Sequence, residues 1–163
     1  MELHTEKTRL LEFGRFAAEN RHRRGEKKPE TFTFLGFVHQ CGTSPTGRFV
    51  VWRQTANQRM VAKLKQIKLR LRQRMHEPLP ETGAWLRGVL LGFYRYHALP
   101  GNLRAMNTFR HRLCRLGRTT FRRRSQKHHA SWERVGPLFA RWLPHPRVLH
   151  PYPADRFDAT HPR

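Results

Sequence analysis

The sequence predicts an α+β chain that is mainly helical, and three observations carry that reading. Residues 1–54 hold short runs rich in Phe, Thr and Val, set between Gly-, Ser- and Pro-containing turns, a pattern of antiparallel strands. From Thr55 to Trp142, apolar residues recur at steps of three and four, the period of helices with one buried face. Beyond Trp142 runs Leu-Pro-His-Pro-Arg-Val-Leu-His-Pro-Tyr-Pro, whose four prolines forbid helix and favour an extended strap. The expected layout is a small β segment with a charged loop over 1–54, a three- to four-helix domain over 55–142, and an extended Pro-rich tail over 143–163.

Taken in order, Thr8–Phe13 reads as a short strand ended by Gly14, and residues 15–30, polar and aperiodic, read as a loop. Thr31–His39 makes a second strand, Cys41–Gly47 a turn cluster, and Arg48–Arg53 a third strand. So few short strands cannot close a core alone. Met60, Leu64, Ile67, Leu71 and Met75 then mark a helix with Thr55 as its N-cap and Pro78 and Pro80 as its stop. A second helix, about Glu81 to Ala98, buries Trp85, Leu86, Val89, Leu90, Phe93 and Tyr94. Tyr94 and Tyr96 stand two apart, so one helix face cannot bury both, and Tyr94 is the expected core member. After a Pro100-Gly101 turn, Asn102 caps a third helix to about Arg123, with Leu103, Met106, Phe109, Leu113 and Leu116 inward. A short fourth helix lies between Ser131 and Trp142.

Charge narrows the function. The chain of 163 residues carries 33 Lys and Arg against 11 Asp and Glu, a formal +22, together with 11 Phe, 4 Trp and 3 Tyr. Such a charge repels itself in a compact state and calls for a polyanion; nucleic acid is the first candidate and an anionic membrane the second. From Thr82 to Trp132 there is no acidic residue at all. An ordinary solvated surface mixes its signs, so this run reads as a helical platform for phosphates. No apolar run is long enough to span a bilayer. The N-terminus does not resemble a signal peptide, and Cys41 and Cys114 form no disulfide framework, so a cytoplasmic location is expected.

Several separate phrases fall in one order: Glu6-Lys7-Thr8, Phe34-Leu35-Gly36-Phe37, a basic helix, Gly92-Phe93-Tyr94-Arg95-Tyr96, Pro100-Gly101-Asn102, Arg123-Arg124-Ser125-Gln126, His150-Pro151-Tyr152-Pro153 and Arg156-Phe157. Together they resemble the C-terminal half of a group II intron-encoded reverse transcriptase, or maturase, over roughly Leu3 to Phe157. The resemblance implies that 1–54 is the end of a polymerase palm, that 55–142 is the thumb or maturase-specific domain, and that the partner is group II intron RNA. A DNA target or an RNA/DNA hybrid are the further ligands it suggests. It makes Lys7 the counterpart of a palm lysine beside the nucleotide site, and Phe34, Leu35, Gly36 and Phe37 the counterpart of a primer-gripping block; a strand facing a core is the alternative for the latter.

The departure from that family concerns metal chemistry. Its polymerases hold two magnesium ions on clustered aspartates, which fix the ions roughly 3.5–4 Å apart. Here the only aspartates are Asp155 and Asp158, outside any palm motif, and the carboxylate turn would lie before Met1. No catalytic residue is therefore expected, nor a cofactor for this chain by itself; magnesium belongs to the parent polymerases. The eleven histidines offer no zinc set: His128 and His129 are adjacent, and His111 and Cys114 lack a second pair at ligand spacing.

RNA contacts are expected from two groups. Lys65, Lys68 and Arg72 share a helix face opposite Leu64 and Leu71; the alternative is a solvated face. Arg118, Arg122, Arg123, Arg124 and Lys127 are the densest cluster, suited to phosphate forks and stacking, or else a frayed helix end. Three functions follow: an RNA-binding maturase module that stabilises intron RNA for splicing, a fragment of an RNA-directed DNA polymerase active only with an upstream palm fragment, or a generic basic binder.

Overall fold

A computed structural model describes residues 8–124 and 130–152. The chain forms two compact units, Met1–Gln54 and Thr55–Arg163, and its described elements make an α+β protein that is mainly helical.

The first unit contains helix α1 (Ala17–Arg23) and a three-stranded sheet of β1 (Phe32–Phe34), β2 (Phe37–Thr43) and, but for its last residue, β3 (Phe49–Thr55), in the order β1-β2-β3. β1 and β2 pair antiparallel, with Phe32 opposite His39 and Phe34 opposite Phe37. The turn between them is Leu35-Gly36, with φ of 48° and 79°. Positive φ at both central residues is the two-residue hairpin geometry whose twist matches its strands. The expected single strand Thr31–His39 is thus two strands folded back at their middle. Leu-Gly is not a strong turn dipeptide, and only Gly36 adopts its backbone angle without a Cβ penalty. The Phe32 and His39 rings stack across the pair at 4.8 Å, and Phe13 meets Phe32 edge-on at 4.9 Å. The turn between β2 and β3 narrows to Ser44–Gly47, where the Ser44 amide donates to the Arg48 carbonyl at 2.8 Å.

Two expectations fail here. Residues 8–13 form no strand: they pair with no edge of the sheet, and Leu10 is 97% exposed. Ion pairs hold the segment instead, Arg9 with Glu30 and Glu12 with Arg24. The expected loop over 15–30 contains α1. Its only buried residue is Ala17, so it shows no apolar stripe; Glu19 and Arg23, at i and i+4, support it from the surface.

The second unit is built from α2 (Asn57–Gln73), α3 (Leu79–His97), α4 (Leu103–Arg122) and α5 (Trp132–Trp142). Helix α4 packs against α2, α3 and α5, and α3 also packs against α5. Met60, Leu64, Ile67 and Leu71 of α2 meet Leu86, Leu90, Phe93 and Tyr94 of α3, Met106, Phe109, Leu113 and Phe121 of α4, and Val135 and Phe139 of α5 in one core. Phe93 and Phe109 stack with centroids 3.7 Å apart. Full burial of a side chain of this size contributes about 1.5–3 kcal/mol.

Local roles differ from expectation at four places. Thr55 does not cap α2; it ends β3, and the N-cap position belongs to Ala56. Asn102 does stand at the N-cap of α4, but its side chain makes no cap bond. Its Oδ1 accepts the Thr55 amide at 2.9 Å, and its Nδ2 donates to Thr55 Oγ1 and to the His97 carbonyl, both at 2.8 Å. A buried amide must satisfy its polar atoms, and here that requirement ties the start of α2 to the α3–α4 corner. Pro78 and Pro80 do not end α2, which stops at Gln73; Pro78 is the N-cap residue of α3 and Pro80 lies in its first turn, where a missing amide costs nothing. Leu103 is 39% exposed because it begins α4, whose buried stripe runs on instead through Cys114, Gly117 and Phe121.

Past α5, residues 143–152 form no helix or strand, as their prolines predict, and the expected tail beyond 152 lies outside the described residues. Tyr94 Oη donates to the Pro144 carbonyl at 3.2 Å, Arg110 Nε to the Leu143 carbonyl at 2.8 Å, and the Leu149 amide to the Ala98 carbonyl at 3.0 Å. His150 Nε2 lies 2.7 Å from the Arg95 carbonyl, a positioning contact. Burial pushes the Tyr94 hydroxyl up to about 12.

A Cβ added at Gly117 would stand 2.8 Å from the Phe139 ring, closer than the packed core allows. Gly117→Ala should therefore cost about 1–3 kcal/mol by overpacking, and Phe109→Ala about 3–5 kcal/mol by leaving a cavity. Denaturant unfolding checks both, and a Gly117→Ala midpoint equal to the parent's would refute the close approach of α5.

Candidate nucleic-acid interface

Ion pairing divides the described residues sharply. Arg9, Arg21, Arg23 and Arg24 of the first unit all reach carboxylates. In the second unit the single carboxylate pair among the described residues is Arg74 with Glu77. Helices α2 and α4 contain no acidic residue. Their apolar faces meet in the core, and most of their basic side chains are exposed and pair with no carboxylate among the described residues.

Between α2 and α4 lies a trough of about 400 Å³ lined by Val61, Leu64, Lys65, Lys68, Arg112, Arg115, Leu116 and Thr119. Its floor is apolar and its walls carry four cations. Of the three α2 residues expected to face phosphates, Lys65, Lys68 and Arg72 are all exposed, and the first two line this trough. Arg72 is on α2 but not among the lining residues. Arg112 and Arg115 were not singled out in the sequence, although their spacing of three beside Leu116 is a helical signal for one shared edge.

The arginine cluster at the end of α4 splits by role. Arg118 is half-buried: its Nε donates to the Ala130 carbonyl at 2.9 Å, and its guanidinium lies 4.9 Å from the Trp132 ring centroid. Arg124 is half-buried too; its Nη2 donates to the Glu77 carbonyl, while Nη1 is buried without a partner among the described residues. These two act as internal staples. Arg122 and Arg123 are exposed and open to a ligand. Lys127 and Lys7 lie outside the described residues.

The Phe34-Leu35-Gly36-Phe37 block is the tip of the first hairpin. Phe34 and Leu35 are 59% and 67% exposed, and Phe37 is buried. Gly36 has the turn's positive φ.

A second trough, about 740 Å³, runs between α2 and α3 and is lined in part by Arg59, Lys63, Trp85, Gly88, Gly92 and Tyr96. Trp85, expected in the core, is partly buried and packs at the core's margin. Of the two tyrosines, Tyr94 is buried and Tyr96 is half-exposed.

Among the described residues no three His, Cys, Asp or Glu side chains cluster to hold a metal ion. Asp155 and Asp158 lie outside the described residues. Burial raises the Cys114 thiol's pKa, which favours the unreactive protonated form. No described helix is long and apolar enough to cross a membrane. No protein-family model, curated protein or solved structure matches the chain. Together the fold and the site define the second unit as a helical unit with two cation-lined troughs.

The division of the arginines can be tested. Arg124→Ala should lower the melting temperature, whereas Arg122→Ala with Arg123→Ala should leave it unchanged. The opposite assignment of effects would overturn it.

His97 generates a pH dependence. It stacks on Phe93 at 4.0 Å, its Nδ1 is 3.2 Å from the Phe93 carbonyl, and burial holds its pKa below the ordinary 6.5, the Phe93 contact opposing. The unfolded chain therefore binds this proton more readily than the folded one. The His97 contribution is complete above about 6.5 and is lost as pH falls through that value toward the lower folded-state pKa. His97→Gln should flatten the acid-side loss of stability that sets in as pH falls below about 6.5. Parallel melting-temperature profiles for parent and variant would exclude it as a source.

Proposed function

We propose that this chain is an RNA-binding module of the maturase type, which holds folded group II intron RNA and stabilises its splicing-active form. The first unit takes the part of a palm end in this reading, and the second that of a thumb. The observation that carries it is the α2–α4 trough, where Lys65, Lys68, Arg112 and Arg115 stand over an apolar floor on two helices without a carboxylate. Ammonium and guanidinium groups at the edges of such a trough reach phosphates by charge-assisted hydrogen bonds. Contacts of this kind position an RNA by its backbone and shape and do not read its sequence. The intron RNA performs its own transesterification, and the protein contributes binding free energy. The ordered phrases from Glu6 to Phe157 supply the maturase part of the proposal.

A second reading is favoured by the exposure of Phe34 and Leu35 at a hairpin tip. A primer-gripping block presents such residues outward, and the chain would then be one part of an RNA-directed DNA polymerase completed by an upstream palm fragment.

The test is a salt series on a folded intron transcript. Lys65→Ala, Lys68→Ala, Arg112→Ala and Arg115→Ala combined should weaken binding and reduce the slope of log affinity against log salt by roughly 0.7–0.9 per lost phosphate contact. In splicing assays at limiting magnesium, the parent chain should raise the spliced fraction and the combined variant should not. Unchanged slope and affinity in the variant would remove the trough from the interface. Binding without any effect on splicing would retain the RNA contact and discard the maturase role.

A further inference from the structure

We infer that the trough between α2 and α3 is a second RNA site, one that takes an unpaired strand by stacking its bases on Trp85 and Tyr96. The inference rests on the RNA-binding reading above and deepens it, because this trough has a chemistry that the α2–α4 trough lacks.

Along α3, Trp85, Gly88, Gly92 and Tyr96 succeed one another at steps of three, four and four and all line the cavity, so they form one edge of the helix. At a rise of 1.5 Å per residue the two aromatic residues stand about 16 Å apart along that edge. Between them the two glycines leave the floor open: a Cβ added at either would meet nothing within 4 Å. The opposite wall is α2, with Arg59, Lys63 and Gln66. The space is therefore aromatic at both ends, apolar in the middle where the two bare glycines lie beside Val89 and Phe93, and cationic along one side.

Both rings are braced. The Arg74 guanidinium lies 5.2 Å from the Trp85 ring centroid, and Arg74 Nε is itself held by Glu77 at 2.7 Å. Tyr96 meets His97 edge-on at 4.9 Å, and His97 is stacked on Phe93. A rigid ring loses little freedom when a base stacks on it. Every base has a π-face, so such platforms accept single strands with little sequence preference, the phosphates lying against nearby cations. An RNA duplex hides its base faces and cannot use the site.

On the wall of α2, beside Ala62, Arg59, Lys63 and Gln66 are exposed and polar. Their charge complements a nucleic-acid backbone.

The experiment uses the full chain and two labelled RNAs of equal length, a short unstructured strand and a blunt duplex. Gly88→Leu with Gly92→Leu fills the trough without removing a ring or a charge, and leucine is the better helix former. Tyr96→Ala removes an exposed ring. Each variant should bind the single strand about tenfold or more weakly, with duplex affinity and salt slope unchanged. Lys65→Ala with Lys68→Ala should weaken both RNAs. The inference is overturned if the filled-trough variant and Tyr96→Ala bind the single strand as tightly as the parent, or if they lose duplex and single strand alike. It is equally overturned if filling the trough changes the sedimentation mass, which would make it a seat for a second copy. If the parent binds neither RNA, the broader RNA-binding reading fails, a result distinct from failure of this trough alone.

Discussion

Helix α4 can hold the helical unit together because one of its faces carries Met106, Phe109, Leu113, Gly117 and Phe121 in unbroken helical register. Three other helices settle on it. Phe109 takes the ring of Phe93 from α3, while Gly117 lets Phe139 of α5 approach as no larger residue could. Burial on this scale opposes the chain's conformational entropy and also the mutual repulsion of the many cations outside the core. The apolar stripe and the basic surface are thus two consequences of one pattern: whatever α4 and α2 do not bury is almost all Lys, Arg or uncharged.

The two units treat charge in opposite ways. In the first, arginines close local contacts with glutamates and so substitute for a large apolar core, although exposed pairs of this type stabilise only weakly. In the second, Arg74–Glu77 is the single such pair among the described residues, and the cations of α2 and α4 line troughs. That contrast, more than the net charge, supports a ligand for the second unit.

Arginine also serves the fold itself. Arg110, Arg118 and Arg124 donate to backbone carbonyls of Leu143, Ala130 and Glu77, carbonyls in segments that regular hydrogen bonding leaves open. The planar guanidinium suits this use because it can donate in one direction and stack in another, as Arg118 does over Trp132. A cluster that looks uniform in one dimension therefore contains both staples and exposed groups.

The helical elements, the acid-free run and the absence of helix over residues 143–152 were legible in the amino-acid sequence, because periodicity and proline act locally and leave a mark in a single stretch. Met60, Leu64, Ile67 and Leu71 announce a buried face without reference to any neighbour. The sequence was a poorer guide where partners lie far apart along the chain. Asn102 and Thr55 are forty-seven positions apart, and nothing local says that one will clasp the other in place of capping a helix. α1 hides because it buries a single alanine, and the Leu35-Gly36 hairpin hides because its turn residues are unremarkable. By itself the sequence determined the helical class, the basic surface and the irregular course of residues 143–152. Tertiary structure alone decided which cations share a trough, which arginines are spent on carbonyls, and that Trp85 and Tyr96 bound one open groove, since such groupings depend on how separate helices meet in space.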